Sequence, residues 1–225
     1  LFRSLSNTNQ DSYFDFYNAF KEASEDFLKV DPNDLHLPGW DESYKPDELK
    51  SLMERYKNVS HDDFLNNMVH FLKKVIPTCE EVGVKLAVHP DDPPWDVFGL
   101  PRIVSSEKDL DRIFAQVPSI HNGLTLCTGS FGAGRGNDLV QMAAKYAKEG
   151  RIHYAHLRNI LYTDDKGGFI ESGHASAEGS LDMAAIVEAL VSNGFEGYVR
   201  PDHGRNIFGE DGKPGYGLYD RALGC

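Results

Sequence analysis

The sequence predicts an α/β fold built on a parallel sheet, and two observations support that prediction. From residue 83 onward, short apolar segments alternate with longer amphipathic segments. Strand, helix and strand in regular alternation are typical of parallel strands connected by covering helices. Each apolar segment also ends at or beside a histidine, a cysteine or an aspartate. That end of a parallel strand is where α/β proteins carry functional side chains.

The sequence of the first part of the chain, residues 1–80, predicts mostly helical structure. Apolar residues recur at three- and four-residue spacing in FYNAFKEASEDFL and in DDFLNNMVHFLKKVIPTCEEVG. Between these segments, VDPNDLHLPGWDESYKPDEL predicts a polar, proline-bearing loop followed by a short helix from Pro46. We expect this helical segment to be an insertion within the same domain as the strands.

Residues 81–225 predict four βα units. The predicted strands are VKLAVH (84–89), LTLC (124–127), IHYAHL (152–157) and GYVRPD (197–202). The predicted helices between them are KDLDRIFAQV, NDLVQMAAKYAKEG and SLDMAAIVEALVSNG. A closed barrel of parallel strands needs eight strands over roughly 250 residues. The pattern therefore allows either an open sheet with a helical extension or a barrel whose first strands lie outside this chain. Because no helix is predicted after the last loop before the chain ends at ALGC, we expect an incomplete chain.

The composition argues against several classes of partner. The 225 residues include 35 acidic and 23 basic side chains, for a formal charge of -12 at pH 7. Because no long run of Lys and Arg occurs, we expect no nucleic-acid partner and no membrane partner. No apolar stretch approaches the roughly 20 residues that span a bilayer. The three cysteines form no closely spaced framework, which indicates free thiols and a cytoplasmic location.

The ends of the four predicted strands supply a candidate metal site. The residues at these ends are His89, Cys127, His156 and Asp202. Each has a structural explanation when taken alone, but the carboxyl ends of parallel strands converge on one face of the sheet. Two imidazoles, a thiolate and a carboxylate are competent ligands for a divalent transition metal. One ligand from each strand leaves a side of the ion open to substrate, as a catalytic metal requires.

Two histidines near these strand ends are candidates for contact with a substrate. His203 follows Asp202 directly. His174 lies in the long loop after the third strand, among glycines and serines that permit close approach.

Two arginines are candidates for binding an anionic substrate. Arg158 stands two residues after His156, so an extended strand places both on one face, although an ion pair at the rim would also explain this arginine. Arg135 lies in GSFGAGRGND, where it could close over a carboxylate or hydroxyl groups. That loop is not a dinucleotide-binding fingerprint because its glycines lack the GxGxxG spacing.

Four long motifs resemble the mannonate dehydratase family. They are HPDDPPWDVFGLPRI, NGLTLCTGSFGAGRGND, YAHLRN, and RPDHGR followed by GYGLYDRALG. They occur in the family's order, and the similarity extends over residues 1–225. The resemblance implies a TIM (β/α)8-type barrel whose N-terminal strands would precede this chain, with residues 1–225 belonging to a single catalytic domain.

The resemblance also implies an activity and roles for particular residues. The activity is dehydration of D-mannonate to 2-dehydro-3-deoxy-D-gluconate in hexuronate (glucuronate) catabolism, with Mn(II) or Fe(II) as the cofactor. The family's metal ligands match the four strand-end residues named above. Its acid/base histidine matches His203, and its catalytic tyrosine matches Tyr216, with Tyr219 as the nearby alternative. A homodimer is a further expectation from the family.

Three alternatives stay open from the residues themselves. A divalent-metal sugar isomerase or epimerase could use the same barrel, although such enzymes prefer carboxylate-rich ligand sets and Cys127 argues against one. A zinc phosphoesterase acting on nucleic acid would need several metals and a basic groove, which the net charge opposes. A non-catalytic protein that binds a metal or a sugar acid differs from an enzyme only in turnover.

Overall fold

A computed structural model of the chain describes residues 46–97, 99–165, 167–212 and 215–224. The predicted helix FYNAFKEASEDFL and most of the loop after it lie outside these residues.

A parallel sheet forms the centre of the described structure. The strands in chain order are β1 (Leu86–Val88), β2 (Asn122–Cys127), β3 (Ile152–His156), β4 (Ile160–Tyr162), β5 (Phe169–Glu171) and β6 (Tyr198–Arg200). Four of them pair in the order β1-β2-β3-β6, each parallel to its neighbour. The predicted α/β class and all four predicted strands are confirmed. The remaining two, β4 and β5, form an antiparallel hairpin in a segment that is predicted to be a long loop, so that prediction is wrong at these residues.

Helices connect and cover these strands. They are α1 (Pro46–Tyr56), α2 (His61–Val82), α3 (Glu107–Gln116), α4 (Thr128–Ala133), α5 (Leu139–Lys148), α6 (Met183–Ser192) and α7 (Leu218–Leu223). The predictions for α1, α2, α3, α5 and α6 are confirmed, whereas the short α4 and α7 were not predicted. None of the helices in the described ranges combines the length and the apolar character that a membrane span requires.

Local sequence explains where the longest helix begins and ends. The Ser60 side chain accepts a hydrogen bond from the backbone of Asp63, and the Asp63 carboxylate accepts one from the backbone of Ser60. This reciprocal capping box satisfies amides that the first turn of α2 leaves free. The helix ends at Gly83, whose φ of 71° lies in the left-handed region that favours glycine.

The core lies between the sheet and its helices. All six residues of β2 are buried, as expected for a central strand of a parallel sheet that is covered on both faces. Core side chains from α2, α3, α5 and α6 pack around it, including Leu72, Ile113, Met142 and Ile186. In the described part of the chain, β1 and β6 are the edges of the sheet. At the β6 edge, the Tyr198 residue is 82 % exposed to solvent.

Candidate metal centre

The parallel register brings the predicted ligands to one end of the sheet. Cys127 at the end of β2 pairs with His156 at the end of β3. His89 directly follows β1, and Asp202 lies two residues after β6. One donor atom from each of the four residues lies within 4.8 Å of every other. The structure therefore brings the predicted ligand set together around a single point.

The donor atoms in this cluster fit a transition-metal ion. Nε2 of His89 lies 3.2 Å from Nδ1 of His156, and that Nδ1 lies 3.4 Å from Oδ1 of Asp202. The Cys127 sulfur lies 3.7 Å from Oδ2 of Asp202. Converging lone pairs repel one another unless a proton or a cation lies between them, and N, S and O donors of this kind suit a divalent transition metal. His89 is the exposed member, while the other three are buried.

The electrostatic surroundings favour the ligand form of Cys127. Burial by itself would raise the pKa of this thiol, but the charge of Arg158 and hydrogen bonds with His156 and His89 outweigh burial and lower the pKa to about 5. The Ser130 hydroxyl, 3.1 Å from the sulfur, can also donate to it. Because the thiolate is the form that binds metals, Cys127 is ready to act as a ligand at neutral pH.

Arg158 lies directly behind the cluster. Its side chain is only 3 % exposed and forms ion pairs with Asp92 and Glu171, while its Nε lies 3.3 Å from Oδ2 of Asp202. A Cβ atom on Gly129 would collide with the arginine side chain, so glycine leaves the space that the arginine occupies. The guanidinium is thus enclosed by carboxylates of this chain. The predicted role of Arg158 in binding substrate stays a prediction.

His203 lies beside the cluster, with its two ring nitrogens in different surroundings. Its Nδ1 is 3.0 Å from Oε1 of Glu171, and its Nε2 is 3.8 Å from Oδ2 of Asp202. Burial opposes the charged imidazolium, but the hydrogen bond to Glu171 dominates among the opposing effects and the pKa of His203 is raised. The ring of Tyr216 lies 6.1 Å from that of His203, centroid to centroid. Tyr219 instead packs against Phe208. The catalytic roles of His203 and Tyr216, and the choice of Tyr216 over Tyr219, stay predictions.

The other two predicted substrate-binding residues lie in different surroundings. Arg135 stacks over the ring of Tyr162 at 4.2 Å and donates to the carbonyl of Asp164 in the β4–β5 turn. His174 packs close to Gly224 at the end of α7, and both of its ring nitrogens are buried. Within the described ranges, no hydrogen bond or ion pair joins either residue to the four ligands. Their roles in binding substrate stay predictions.

Glu171 contacts both Arg158 and His203 and is not among the residues predicted from the sequence. This glutamate ends β5, and its hairpin lies in a segment predicted to be a loop. Two short runs, ILY and FIE, flank the polar, glycine-containing turn in ILYTDDKGGFIE. That pattern indicates a β-hairpin and could have revealed the position of Glu171.

Comparisons with known proteins point to one family. The family profile described as D-mannonate dehydratase (UxuA) matches residues 6–225. The chain is 49 % identical over 192 residues to Mannonate dehydratase 2 of Halalkalibacterium halodurans, covering 85 % of this chain and 55 % of that protein. It is 49 % identical over 205 residues to Mannonate dehydratase of Thermotoga neapolitana, covering 91 % of this chain and 54 % of that protein. The chain thus spans about half the length of the curated relatives it matches.

A solved structure shares the fold. The crystal structure of mannonate dehydratase from Streptococcus suis serotype2 superposes with a TM-score of 0.74 at 44 % sequence identity. The superposition covers 78 % of this chain and 50 % of that one.

Proposed function

Since this chain belongs to the D-mannonate dehydratase family, we propose that the protein containing it removes water from D-mannonate to give 2-dehydro-3-deoxy-D-gluconate. Family membership confirms the resemblance inferred from the four sequence motifs. The observation that carries the proposal is the convergence of two histidines, a cysteine and an aspartate within 4.8 Å of one another at the strand ends. His203, which can exchange protons near neutral pH, lies next to this cluster.

The chemistry explains why both a cation and proton-transferring side chains are needed. The proton on carbon 2 of an aldonate is weakly acidic because the neighbouring carboxylate disfavours further negative charge. A divalent metal bound at the four ligands would polarise the substrate carboxylate and adjacent hydroxyl and stabilise the charge that develops there. His203 and Tyr216 would share the two proton transfers: one takes the proton from carbon 2, and the other protonates the departing hydroxyl at carbon 3. The enol that results takes up a proton at carbon 3, releases the proton of its carbon-2 hydroxyl and becomes the 2-keto acid.

The finer features of the proposal rest on separate supports. Mn(II) or Fe(II) follows from the family resemblance, and the imidazole ligands suit iron while the carboxylate ligand suits manganese. We propose a TIM-type barrel with residues 1–225 in one catalytic domain. The parallel order of the sheet supports it, and the edges of the described sheet, β1 and β6, are where further barrel strands would pair. A cytoplasmic location suits a site that needs Cys127 as a free thiolate. We also propose that the substrate is bound by Arg135, Arg158 and His174. The protein is further proposed to form a homodimer.

Two other functions would use the same ligands. A sugar isomerase or epimerase would interconvert the substrate without releasing water. A protein that only binds a metal or a sugar acid would show binding without product. Both differ from a dehydratase in what accumulates in solution, so an assay of the product separates all three.

The test is turnover of D-mannonate by the metal-stripped full-length protein, with and without Mn(II), measured as formation of the 2-keto-3-deoxy acid. We expect metal-dependent product from the wild type and its loss in His203→Ala and in Cys127→Ser. A folded, metal-loaded protein that forms no 2-keto-3-deoxy acid would exclude the dehydratase. Accumulation of an isomeric sugar acid in its place would identify the isomerase or epimerase.

A further inference from the structure

The β4–β5 hairpin delivers an acidic side chain to His203. Glu171 is the last residue of β5 and pairs across the hairpin with Ile160. The backbone amide of Ser172, the next residue, donates to the carbonyl of Asn159, which holds the end of the hairpin against the segment that follows β3. From this position Oε1 of Glu171 reaches Nδ1 of His203 at 3.0 Å. A residue 32 positions earlier in the chain thus becomes a hydrogen-bond partner of the proton-transferring histidine.

Two groups lie within hydrogen-bond distance of Nδ1 of His203, and one requires a donor there whereas the other requires an acceptor. The Glu171 carboxylate can only accept a hydrogen bond once it is ionised, and its ion pair with the buried Arg158 favours the ionised form. Nη1 of Arg158 lies 3.3 Å from the same Nδ1, and a guanidinium can only donate. A hydrogen on Nδ1 therefore satisfies Glu171, whereas a lone pair on Nδ1 would satisfy Arg158.

The geometry decides this competition in favour of Glu171. Its oxygen is the nearer partner of Nδ1, at 3.0 Å against 3.3 Å. Nη1 of Arg158 already donates to that same carboxylate oxygen, so it has a partner without the histidine. The hydrogen on Nδ1 is then held by Glu171, and Nε2 is the nitrogen that faces Asp202 and the ligand cluster.

We propose that Glu171 is a positioning residue that binds Nδ1–H of His203 and thereby makes Nε2 the nitrogen that exchanges protons with the substrate. The statement about substrate rests on the proposed function, but the hydrogen bond and the tautomer do not. Arg158 holds the carboxylate in place, and it is also the group that would invert the tautomer if the carboxylate were removed. Without Glu171, Nδ1 would accept from Nη1 of Arg158 and the hydrogen would move to Nε2.

The experiment reads the tautomer of His203 directly in the metal-free full-length protein. Long-range ¹H–¹⁵N correlation spectra of ¹⁵N-histidine-labelled protein, recorded where imidazoles are neutral, distinguish Nδ1–H from Nε2–H. The His203 signals are assigned by their loss in His203→Gln. We expect Nδ1–H in the wild type and in Glu171→Gln, whose amide oxygen still accepts, and Nε2–H in Glu171→Met, which has similar bulk and no acceptor.

Turnover supplies a second measurement. A histidine in the wrong tautomer loses general acid–base catalysis, so Glu171→Met should lower kcat by about 10²-fold or more while KM changes little. Glu171→Gln should recover a large part of that loss. Glu178→Met is the matched control, because Glu178 is an exposed glutamate at the end of a short 3-10 helix (Ser176–Glu178) and pairs with Arg205. This control should keep both the wild-type tautomer and the wild-type kcat.

The outcomes separate this proposal from the proposed function. Nε2–H in the wild type, or unchanged Nδ1–H in a folded Glu171→Met, would overturn the role of Glu171 whether or not the protein turns over mannonate. If Glu171→Met does not fold, the wild-type spectrum decides alone. If the expected tautomers are found in a protein that forms no product, the role of Glu171 is supported and the dehydratase function is excluded.

Discussion

Nε of the buried Arg158 lies 3.3 Å from Oδ2 of Asp202, so one guanidinium bears directly on the ligand cluster. The same guanidinium also pairs with Asp92 and Glu171. With the Cys127 thiolate, these three carboxylates carry four negative charges, which Arg158 and Arg200, whose Nη2 lies 2.6 Å from Oδ1 of Asp202, offset only in part. The remaining excess is what a divalent cation at the strand ends would neutralise.

Replacing the thiolate should weaken metal binding selectively. Cys127→Ser substitutes a neutral hydroxyl for a soft anionic ligand, and we expect Mn(II) affinity to fall by tenfold or more, since even loss of a residue that supports a ligand costs about 10–100-fold. Titration calorimetry on the metal-stripped protein measures this change. Cys79→Ala is the control, because Cys79 is a free cysteine buried on α2. Equal loss of affinity in both variants would show that the effect is not specific to the proposed ligand.

The metal-free site should hold a thiolate well below neutral pH. With the pKa of Cys127 lowered to about 5, principally by Arg158 acting against burial, the thiol loses its proton as the pH rises through that value. The ultraviolet absorbance of the thiolate, taken as the difference between wild type and Cys127→Ser, should therefore show a midpoint near pH 5. A midpoint in the range of an ordinary cysteine, about 8.5, would contradict the electrostatic account of the site.

Acid should destabilise the sheet through His153. Burial, together with the nearby charges of Lys85 and His121, lowers the pKa of His153 to about 4, and its Nδ1 is bonded to the carbonyl of Leu86. In the unfolded chain the pKa is about 6.5, so the unfolded state binds more protons between these values. The free energy of unfolding should fall as the pH drops from about 6.5 to about 4, by roughly 1–2 kcal/mol after allowing for the partial exposure of this side chain.

Urea unfolding at several pH values measures that loss. His153→Asn is the control variant, since its amide can still donate to Leu86 but does not titrate. Its stability should depend less on pH across this window than that of the wild type. Identical pH profiles for the two proteins would exclude His153 as the source.

Two glycines of the same segment should respond differently to an added methyl group. A Cβ at Gly129 would meet the Arg158 side chain, which is enclosed and cannot move aside, whereas a Cβ at Gly136 would meet nothing within 4 Å. Gly129→Ala should therefore lower the free energy of unfolding by about 1–3 kcal/mol, with reduced metal affinity, while Gly136→Ala stays within about 0.5 kcal/mol of wild type. Denaturant unfolding of both variants checks this. Tolerance of Gly129→Ala with full metal binding would contradict the fixed placement of Arg158.

The positions of the metal-ligand candidates could be predicted because they depend on local patterns. Apolar runs mark the strands, and the rule that parallel strands end on one face places His89, Cys127 and His156 together without knowledge of their distances. The partner of His203 could not be predicted in the same way. Glu171 reaches that histidine only because the β4–β5 hairpin folds back over the end of the sheet, which is a tertiary contact between short segments of weak strand character.

The burial of Arg158 also could not be predicted from the sequence. An arginine after a strand is ordinarily exposed, and the sequence near Arg158 does not predict that its side chain is buried. Its charge is offset by Asp92, Glu171 and Asp202, which come from three separate parts of the chain. Such an arrangement is visible only when those parts are assembled.

The four strand ends of this fold should form one metal site. Crystals of the full-length protein with Mn(II), measured at the manganese absorption edge, test it most directly. We expect one strong anomalous peak in contact with His89, Cys127, His156 and Asp202. A manganese ion bound elsewhere, with these four side chains hydrogen-bonded only to protein and water, would contradict the claim.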